Sequence, residues 1–373
     1  MTDSDDRRFM ARALELAARG LYSTHPNPRV GCVLVRAGEI VGEGWHERAG
    51  EAHAEVAALR AAGAAAHGAT AYVTLEPCQH HGRTPPCVDA LLRAGVTRVV
   101  AAMEDPDPRN AGAGLAALRA ASVQVESGLL AVQAEALNPG FIMRHRGGRP
   151  FVRCKLGMTL DGRTATATGE SRWITGVAAR RDVQRLRARS AAIMTGIGTV
   201  LADDPSLTIR LDEIDLDQAQ AAPTHQPLRV VLDSALHMPH DARLLSQLGN
   251  TLIVSAGASN ALEFVSRRGV EVLACASADG RIDLRALLAI LAEREINELL
   301  LEAGPTLSGA MLQAGLIDEL VLYVAPKLLG DNARGLFALP GLNRLAQAPA
   351  LEVTDMRAVG DDWRITATVA RDC

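Results

Sequence analysis

The chain has 373 residues, 48% of them hydrophobic, 22% charged and only 3% aromatic, with a formal net charge of −4. At roughly 100–200 residues per domain this length predicts two domains, each able to bury its own core. The lack of a basic excess argues against a partner held through phosphodiester charge, and six cysteines over this length are no disulfide framework: they point to metal or core roles in a reducing compartment.

The opening MTDSDDRRFM is acidic and lacks the apolar segment of a secretory signal. The longest charge-free apolar-leaning run, SAAIMTGIGTVLA, falls short of the about 20 residues a membrane span needs. A cytoplasmic protein with no membrane partner is therefore expected. Lys155 and Lys327 are the only lysines among 39 basic residues, the rest being arginine. Genomic base composition accounts for that bias, but it also marks the two lysines as places where a compact ammonium is needed.

In chain order, residues 6–20 carry apolar side chains at helical spacing. RVGCVLV and EIVGEGW read as a strand hairpin, and AHAEVAALRAAG as a helix stopped by Gly63. TAYVTL is a strand, CVDALLRAG a helix, TRVVAAM a strand and SVQVESG a short last strand. This alternation predicts the α/β class. FIMRHRGGRP (141–150) breaks it with basic residues, a Gly-Gly pair and a proline, and reads as a junction. The domains are accordingly drawn at 1–146 and 147–373. The second holds further strand candidates: FVRCKLGM, PLRVVLDS, TLIVSA, VEVLACA, ELLLEA, ELVLYVAP and WRITATVA. Segment 211–227 is polar and reads as an exposed loop.

Chemistry concentrates first in AHAE and TLEPCQHHGRTPPC. His53, Cys78 and Cys87 supply the three protein ligands of a catalytic zinc, whose fourth position would hold water. Lewis acidity lowers the pKa of such a water to about 7, and Glu55 is the natural proton shuttle. Both halves of the set fall at predicted helix starts, where thiolate and metal binding are favoured. Residues i and i+2 do not share a helix face, so His53 must lie at the very start of its helix or Glu55 must curl back. A closed structural zinc site with His80 or His81 as fourth ligand is the alternative. Cys32, in an apolar strand, reads as core.

These motifs, with HPNPRVGCVLV, GEGWHERAGEAHAE and MEDPDP, and in the second half KLGMTLDGRTATATGESRWIT, TGIGTVLADDPSLTIR and EAGPTLSGAMLQAGLIDEL, resemble the bifunctional riboflavin-biosynthesis deaminase–reductases of bacteria. The resemblance implies a cytidine-deaminase-like α/β/α domain followed by a dihydrofolate-reductase-like α/β domain. It implies deamination of a phosphorylated diamino-pyrimidinone ribosylamine, then NADPH reduction of its ribosyl group to ribityl. By the same carry-over, Zn2+ is held by His53, Cys78 and Cys87, with Glu55 as acid/base. Asn27, His46 and His80 line the pyrimidine pocket and Arg83 meets the phosphate. Asn110 departs from the family's usual small apolar residue.

In the second half no G-x-G-x-x-G follows a strand, so a Rossmann site is not supported. TGIGT (195–199) reads as a glycine loop, and EAGPTLSG as a strand-to-helix turn whose N–H groups would face an anion. The resemblance places Ser171, Arg187, Leu207, Arg210 and Glu302 at the substrate, Arg187 and Arg210 as bidentate phosphate partners. It places Gly157, Trp173, Thr199, Asp203, Ser234 and the 304–309 loop (Gly304, Pro305, Thr306, Leu307, Ser308, Gly309) at NADPH. Lys155 is a candidate substrate contact or proton relay, and Asp161 in LDGR reads as a residue that holds a turn. A homo-oligomer, dimer or tetramer, is also implied. The competing readings are a nucleic-acid deaminase, disfavoured by net charge and aromatic scarcity, and a non-catalytic zinc scaffold, which would have no use for Glu55.

Overall fold

The computed structural model describes residues 3–81, 85–214, 220–223, 225–257, 268–277 and 279–370. Two compact units result, and the break between them falls between Arg149 and Pro150.

In the first unit β1 (Gly31–Arg36), β2 (Glu39–Trp45), β3 (Thr70–Val73), β4 (Arg98–Ala101) and β5 (Gln124–Ser127) form one sheet in the order β2-β1-β3-β4-β5. The first two pairings are antiparallel and the last two parallel. Side chains alternate across a strand, and the sequence uses both faces. Cys32, Leu34, Ala71, Val73, Val99 and Ala101 pack with α2 (Ala54–Ala62), α3 (Cys87–Arg93) and α4 (Ala113–Ala120). Their neighbours Val33, Val35, Tyr72, Val100 and Ala102 pack with α1 (Asp3–Ala18), α5 (Ala131–Leu137) and α6 (Pro139–Gly147). The result is a three-layer α/β/α core, each fully buried aliphatic contributing about 1.5–3 kcal/mol. Gly44 lets α2 lie this close, since a Cβ there would stand 2.3 Å from Ala58 N.

The 141–150 stretch is helical over most of its length before the break between Arg149 and Pro150. Residues 139–147 are helical, with Pro139 in the first turn and Gly148 ending the helix at φ 64°. Pro at a helix start and Gly just past its end are helix signals, and the Gly-Gly pair masked them.

The second unit holds nine strands in one sheet: β6 (Phe151–Thr159), β8 (Ala192–Gly196), β9 (Leu228–Leu232), β10 (Thr251–Ser255), β11 (Val270–Ala274), β12 (Glu298–Leu301), β13 (Glu319–Ala325), β15 (Leu351–Val359) and β16 (Asp362–Val369). Their order is β11-β10-β9-β8-β12-β6-β13-β16-β15, parallel up to β13 and antiparallel beyond it. The short β7 (Arg163–Ala165) and β14 (Arg334–Gly335) pair separately. Among the described residues its α-helices are α7 (Val177–Arg189), α8 (Ile197–Asp203), α9 (Leu284–Glu293) and α10 (Pro305–Gln313).

Two readings change. TGIGT is no free glycine loop: β8 runs through Gly196 straight into α8, with Gly196 as the N-cap. LEVTDMRAV, not read as a strand, is β15. Its residues are almost all exposed, and an irregularity between Val353 and Asp355 breaks the period-two pattern that would have revealed it. Among the described residues no helix is long and apolar enough to cross a membrane.

Candidate functional site

The sheet of the first unit brings His53, Cys78 and Cys87 together, their ligand atoms all within 4.8 Å of one another. His53 Nδ1 lies 3.3 Å from Cys87 Sγ and 3.6 Å from Cys78 Sγ. His53 is the N-cap of α2, in extended conformation, so the i, i+2 conflict disappears: the imidazole precedes the helix while Glu55 sits in its first turn. Cys87 opens α3 and donates its backbone N–H to Cys78 Sγ at 3.3 Å. The Cys78 carbonyl accepts from Val88 N at 3.3 Å. The QHHGRTPP insert thus returns the chain to the same point.

The electrostatics suit a cation. A hydrogen bond from Cys87, together with those of His53, pulls the Cys78 thiol down to about 4 against the opposing effect of burial. Its hydrogen bond with Cys78 raises the His53 imidazole. The Cys87 thiol is pushed up, first by its bond with Cys78 and then by burial, so the pair carries one thiolate until a metal supplies charge. Glu55 is only 3% exposed; burial, reinforced by the charge of Cys78, raises its carboxyl to about 7. Two sulfurs and one imidazole are a borderline-soft set that fits zinc. Among the described residues no further His, Cys, Asp or Glu joins the group, which speaks for an open rather than a closed centre.

Asn27 and His46 stand beside it. The His46 and His53 rings meet edge to face with centroids 5.4 Å apart. His46 Nδ1 faces the Ala52 carbonyl at 3.1 Å, so it carries the hydrogen, and Nε2 accepts from Asn27 Nδ2 at 3.0 Å. Burial lowers the His46 pKa, which keeps this neutral tautomer. His80 Nδ1 is buried with no partner among the described residues, a group left for a ligand to satisfy. Arg83 lies outside the described residues.

Glu76, in TLEPC, went unread. It is 3% exposed and accepts from the backbone N–H of Asp105, Gly112, Gly114 and Leu115 at 2.9–3.2 Å. A carboxylate at the α4 N-terminus complements the helix dipole and anchors the chain two residues before Cys78. No local signal could reveal it, because its partners lie 29–39 residues away.

In the second unit Gly157, Thr199, Ser234 and Glu302 fall in or just past the carboxyl ends of parallel strands, where ligands of open α/β sheets bind. Chain order reverses around β6, β12 and β8. Glu302 follows β12 and takes a bidentate fork from Arg187 at 2.7 and 3.1 Å, with Lys155 Nζ at 3.7 Å. Arg187 also donates to Thr208 O at 2.9 Å. Burial acts to raise the Glu302 carboxyl, but the charges of Arg187 and Lys155 and their hydrogen bonds outweigh it and hold it at about 2. These bonds use three of the five N–H donors of Arg187 and leave two for a phosphate. Among the described residues the Arg210 side chain pairs with Glu213 at the surface, at 2.6 and 2.8 Å. Such exposed pairs are worth about 0–1 kcal/mol, so Arg210 can exchange its partner for a phosphate.

The 304–309 segment is also corrected from loop to helix: Gly304 is the N-cap and α10 starts at Pro305. Gly304 and Thr306 are exposed, Pro305 and Leu307 half-buried. Ser308 and Gly309 face inward, Ser308 N–H is already given to Gly304 O at 3.2 Å, and a Cβ on Gly309 would stand 2.0 Å from Ala338 O. The solvent-facing part of the run is therefore its start. Trp173 is 63% exposed, with the Arg180 guanidinium 4.5 Å from its ring centroid and its carbonyl held by Lys327 Nζ at 2.7 Å. Asp203 pairs with Arg172 at 3.8 Å; Ser171 is half-buried and Leu207 buried at φ 48°. The Asp161 carboxylate accepts from Leu329 and Gly330 N–H, which ties it to the segment after β13.

Residues 3–103 match the cytidine and deoxycytidylate deaminase zinc-binding region, and residues 150–365 match the RibD C-terminal domain. The riboflavin biosynthesis protein RibD of Escherichia coli is 55% identical over 96% of this chain and 97% of its own. Its Haemophilus influenzae counterpart is 49% identical over 98% of both. Among solved structures, Acinetobacter baumannii RibD superposes with a TM-score of 0.89 at 45% identity, covering 99% of each chain. A Thermotoga maritima diaminohydroxyphosphoribosylaminopyrimidine deaminase/5-amino-6-(5-phosphoribosylamino)uracil reductase superposes at 0.85 with 31% identity, covering 98% of this chain and 99% of its own. With its thiolate–imidazole cluster, buried glutamate and second α/β unit, the chain belongs to the RibD family of bifunctional riboflavin-biosynthesis enzymes, a zinc-binding deaminase joined to a reductase.

Proposed function

We propose that residues 1–146 hydrolyse the amino group from the pyrimidine ring of 2,5-diamino-6-ribosylamino-4(3H)-pyrimidinone 5′-phosphate, and that residues 147–373 then reduce the ribosyl group to ribityl, giving 5-amino-6-(5-phosphoribitylamino)uracil. The observation that carries this reading is the convergence of His53, Cys78 and Cys87 beside the buried Glu55. Zinc supplies Lewis acidity that activates water near neutral pH, and NADPH supplies a hydride. Glu55 takes a proton from the attacking water and returns it to the departing amine, so the C–N bond breaks, a ring carbonyl forms and ammonia leaves without net proton change. Asn27, His46 and His80 orient the ring, and Arg83 is assigned to the phosphate. In the second unit the open-chain imine carbon accepts hydride and its nitrogen a proton. Glu302, held by Arg187 and Lys155, faces the sugar, and Arg210 takes the phosphate. Gly157, Ser171, Trp173, Thr199, Asp203, Leu207, Ser234 and the exposed start of the 304–309 run form the remaining walls.

Mixed with the diamino substrate and NADPH, the protein should release ammonia even without NADPH, and lose nicotinamide absorbance only as deaminated product forms. Nicotinamide oxidation with no ammonia, or neither signal, overturns the reading.

The finer reading is a cytoplasmic homo-oligomer, a dimer or tetramer. The five described cysteines are free thiols, which suits a reducing compartment; recovery of the protein with a periplasmic or membrane fraction would contradict this. β15 is a nine-residue edge strand exposing Leu351, Val353 and Met356, with Trp363 exposed on neighbouring β16. Long apolar edges are covered in native proteins, and a second copy pairing along β15 would cover it. Sedimentation at micromolar concentration should give a multiple of the chain mass; a one-chain mass removes the oligomer.

A further inference from the structure

We propose that Asn110 is a positioning residue for the metal-binding thiol of Cys78; the inference rests on the zinc reading above. Asn110 is 1% exposed and stands in the turn before α4. Its backbone is fixed on both sides: its N–H donates to Asp107 O at 2.9 Å and its carbonyl accepts from Ala113 N at 2.6 Å. The side chain is therefore presented rigidly. Its Oδ1 accepts from Gln79 N at 3.0 Å, and its Nδ2 donates to Asp105 Oδ2 at 3.3 Å and, at the edge of hydrogen-bond range, to Pro77 O at 3.5 Å.

Pro77 and Gln79 are the two neighbours of Cys78. Pro77 has no N–H to give, so its carbonyl and the Gln79 N–H are the polar handles of the backbone flanking the ligand, and Asn110 holds both. On the other side Cys78 is held by α3, through Val88 N–H to its carbonyl and Cys87 N–H to its sulfur. The thiol sits between these two clamps. Gly114 completes the contact, since a Cβ there would stand 2.0 Å from Pro77 O. An alanine or valine at 110 would offer Gln79 N–H no acceptor and leave the 77–79 backbone held from the α3 side alone. The clamp from Asn110 fixes where the sulfur points without touching it. Supporting partners around metal ligands typically govern affinity by about 10–100-fold.

The test is zinc release from the full-length zinc-loaded protein to a chromophoric chelator, together with the thiolate-to-cobalt charge-transfer band of the Co2+-substituted protein. Asn110→Ala should speed release by about 10-fold or more and weaken or shift the band. Asn110→Leu fills the space without the hydrogen bonds and should do the same, which covers the case in which the alanine variant fails to fold. Asn138→Ala is the control. Asn138 is 3% exposed and also hydrogen-bonded, but its side chain binds the backbone of Arg29 in place of the 77–79 backbone. It should lower stability without changing release or the band. Release and band unchanged in both Asn110 variants, or changed equally in Asn138→Ala, would overturn the positioning role. A wild-type protein that retains no zinc would instead overturn the function on which it rests.

Discussion

Glu55→Gln should cut ammonia release by roughly 10²–10⁴-fold, the usual worth of a positioned acid/base, while zinc content and reduction of already deaminated substrate stay at wild-type levels. Glutamine keeps the size of the side chain and its place in the first turn of α2, so the N-cap geometry of His53 is undisturbed. What it loses is the ability to carry a proton from water to the departing amine. Glu55 is not one of the three clustered ligands, so the substitution leaves the ligand set intact. The reductase residues lie in the other unit, with a sheet and core of their own, which is why the effects separate. Ammonia release left intact would show that another group moves the proton.

Arg187→Leu should destabilise the second unit by about 3–5 kcal/mol, the usual cost of removing one partner from a buried ion pair. Arg187 and Glu302 side chains are 11% and 10% exposed, so water screens little. Bringing the Glu302 carboxyl from 4.5 to about 2 corresponds to about 3 kcal/mol, shared between Arg187 as the larger cause and Lys155. The sign follows from the depressed pKa. The contribution is fully present above about 4.5, and it is lost as pH falls from there toward about 2. Native-state hydrogen exchange of the β12 amides should therefore show a large wild-type advantage at pH 6 that narrows below pH 4.5. Reduction should fail with it, because Glu302 loses the fork that aims it. An advantage independent of pH would mean that Arg187 stabilises by packing alone.

Much of the first site is legible in sequence because its chemistry is local. H-x-E and P-C are short motifs at helix starts, and only the long insert between Cys78 and Cys87 needed the fold to close it. What sequence hides is long-range or irregular. Glu76 and Asn110 act on backbone about 30 or more residues away. Arg187 lies in an arginine-rich stretch that reads as a solvated face, yet one turn of α7 aims it at Glu302, 115 residues on. In β15 a bulge erased the alternation, and the Gly-Gly pair hid the helix α6 that runs up to the break between the units. Arg210 and Arg187 look alike in sequence. The fold separates them, one paired at the surface and one locked inside.

The open thiolate–imidazole centre is tested most directly by zinc K-edge absorption on the purified protein, with elemental analysis of the same sample. One zinc per chain is predicted, with two sulfurs at about 2.3 Å, a single imidazole nitrogen at about 2.0–2.1 Å and one light non-protein donor. A second imidazole filling the last corner, or a protein carrying no zinc with its two thiols uncoordinated, would contradict it.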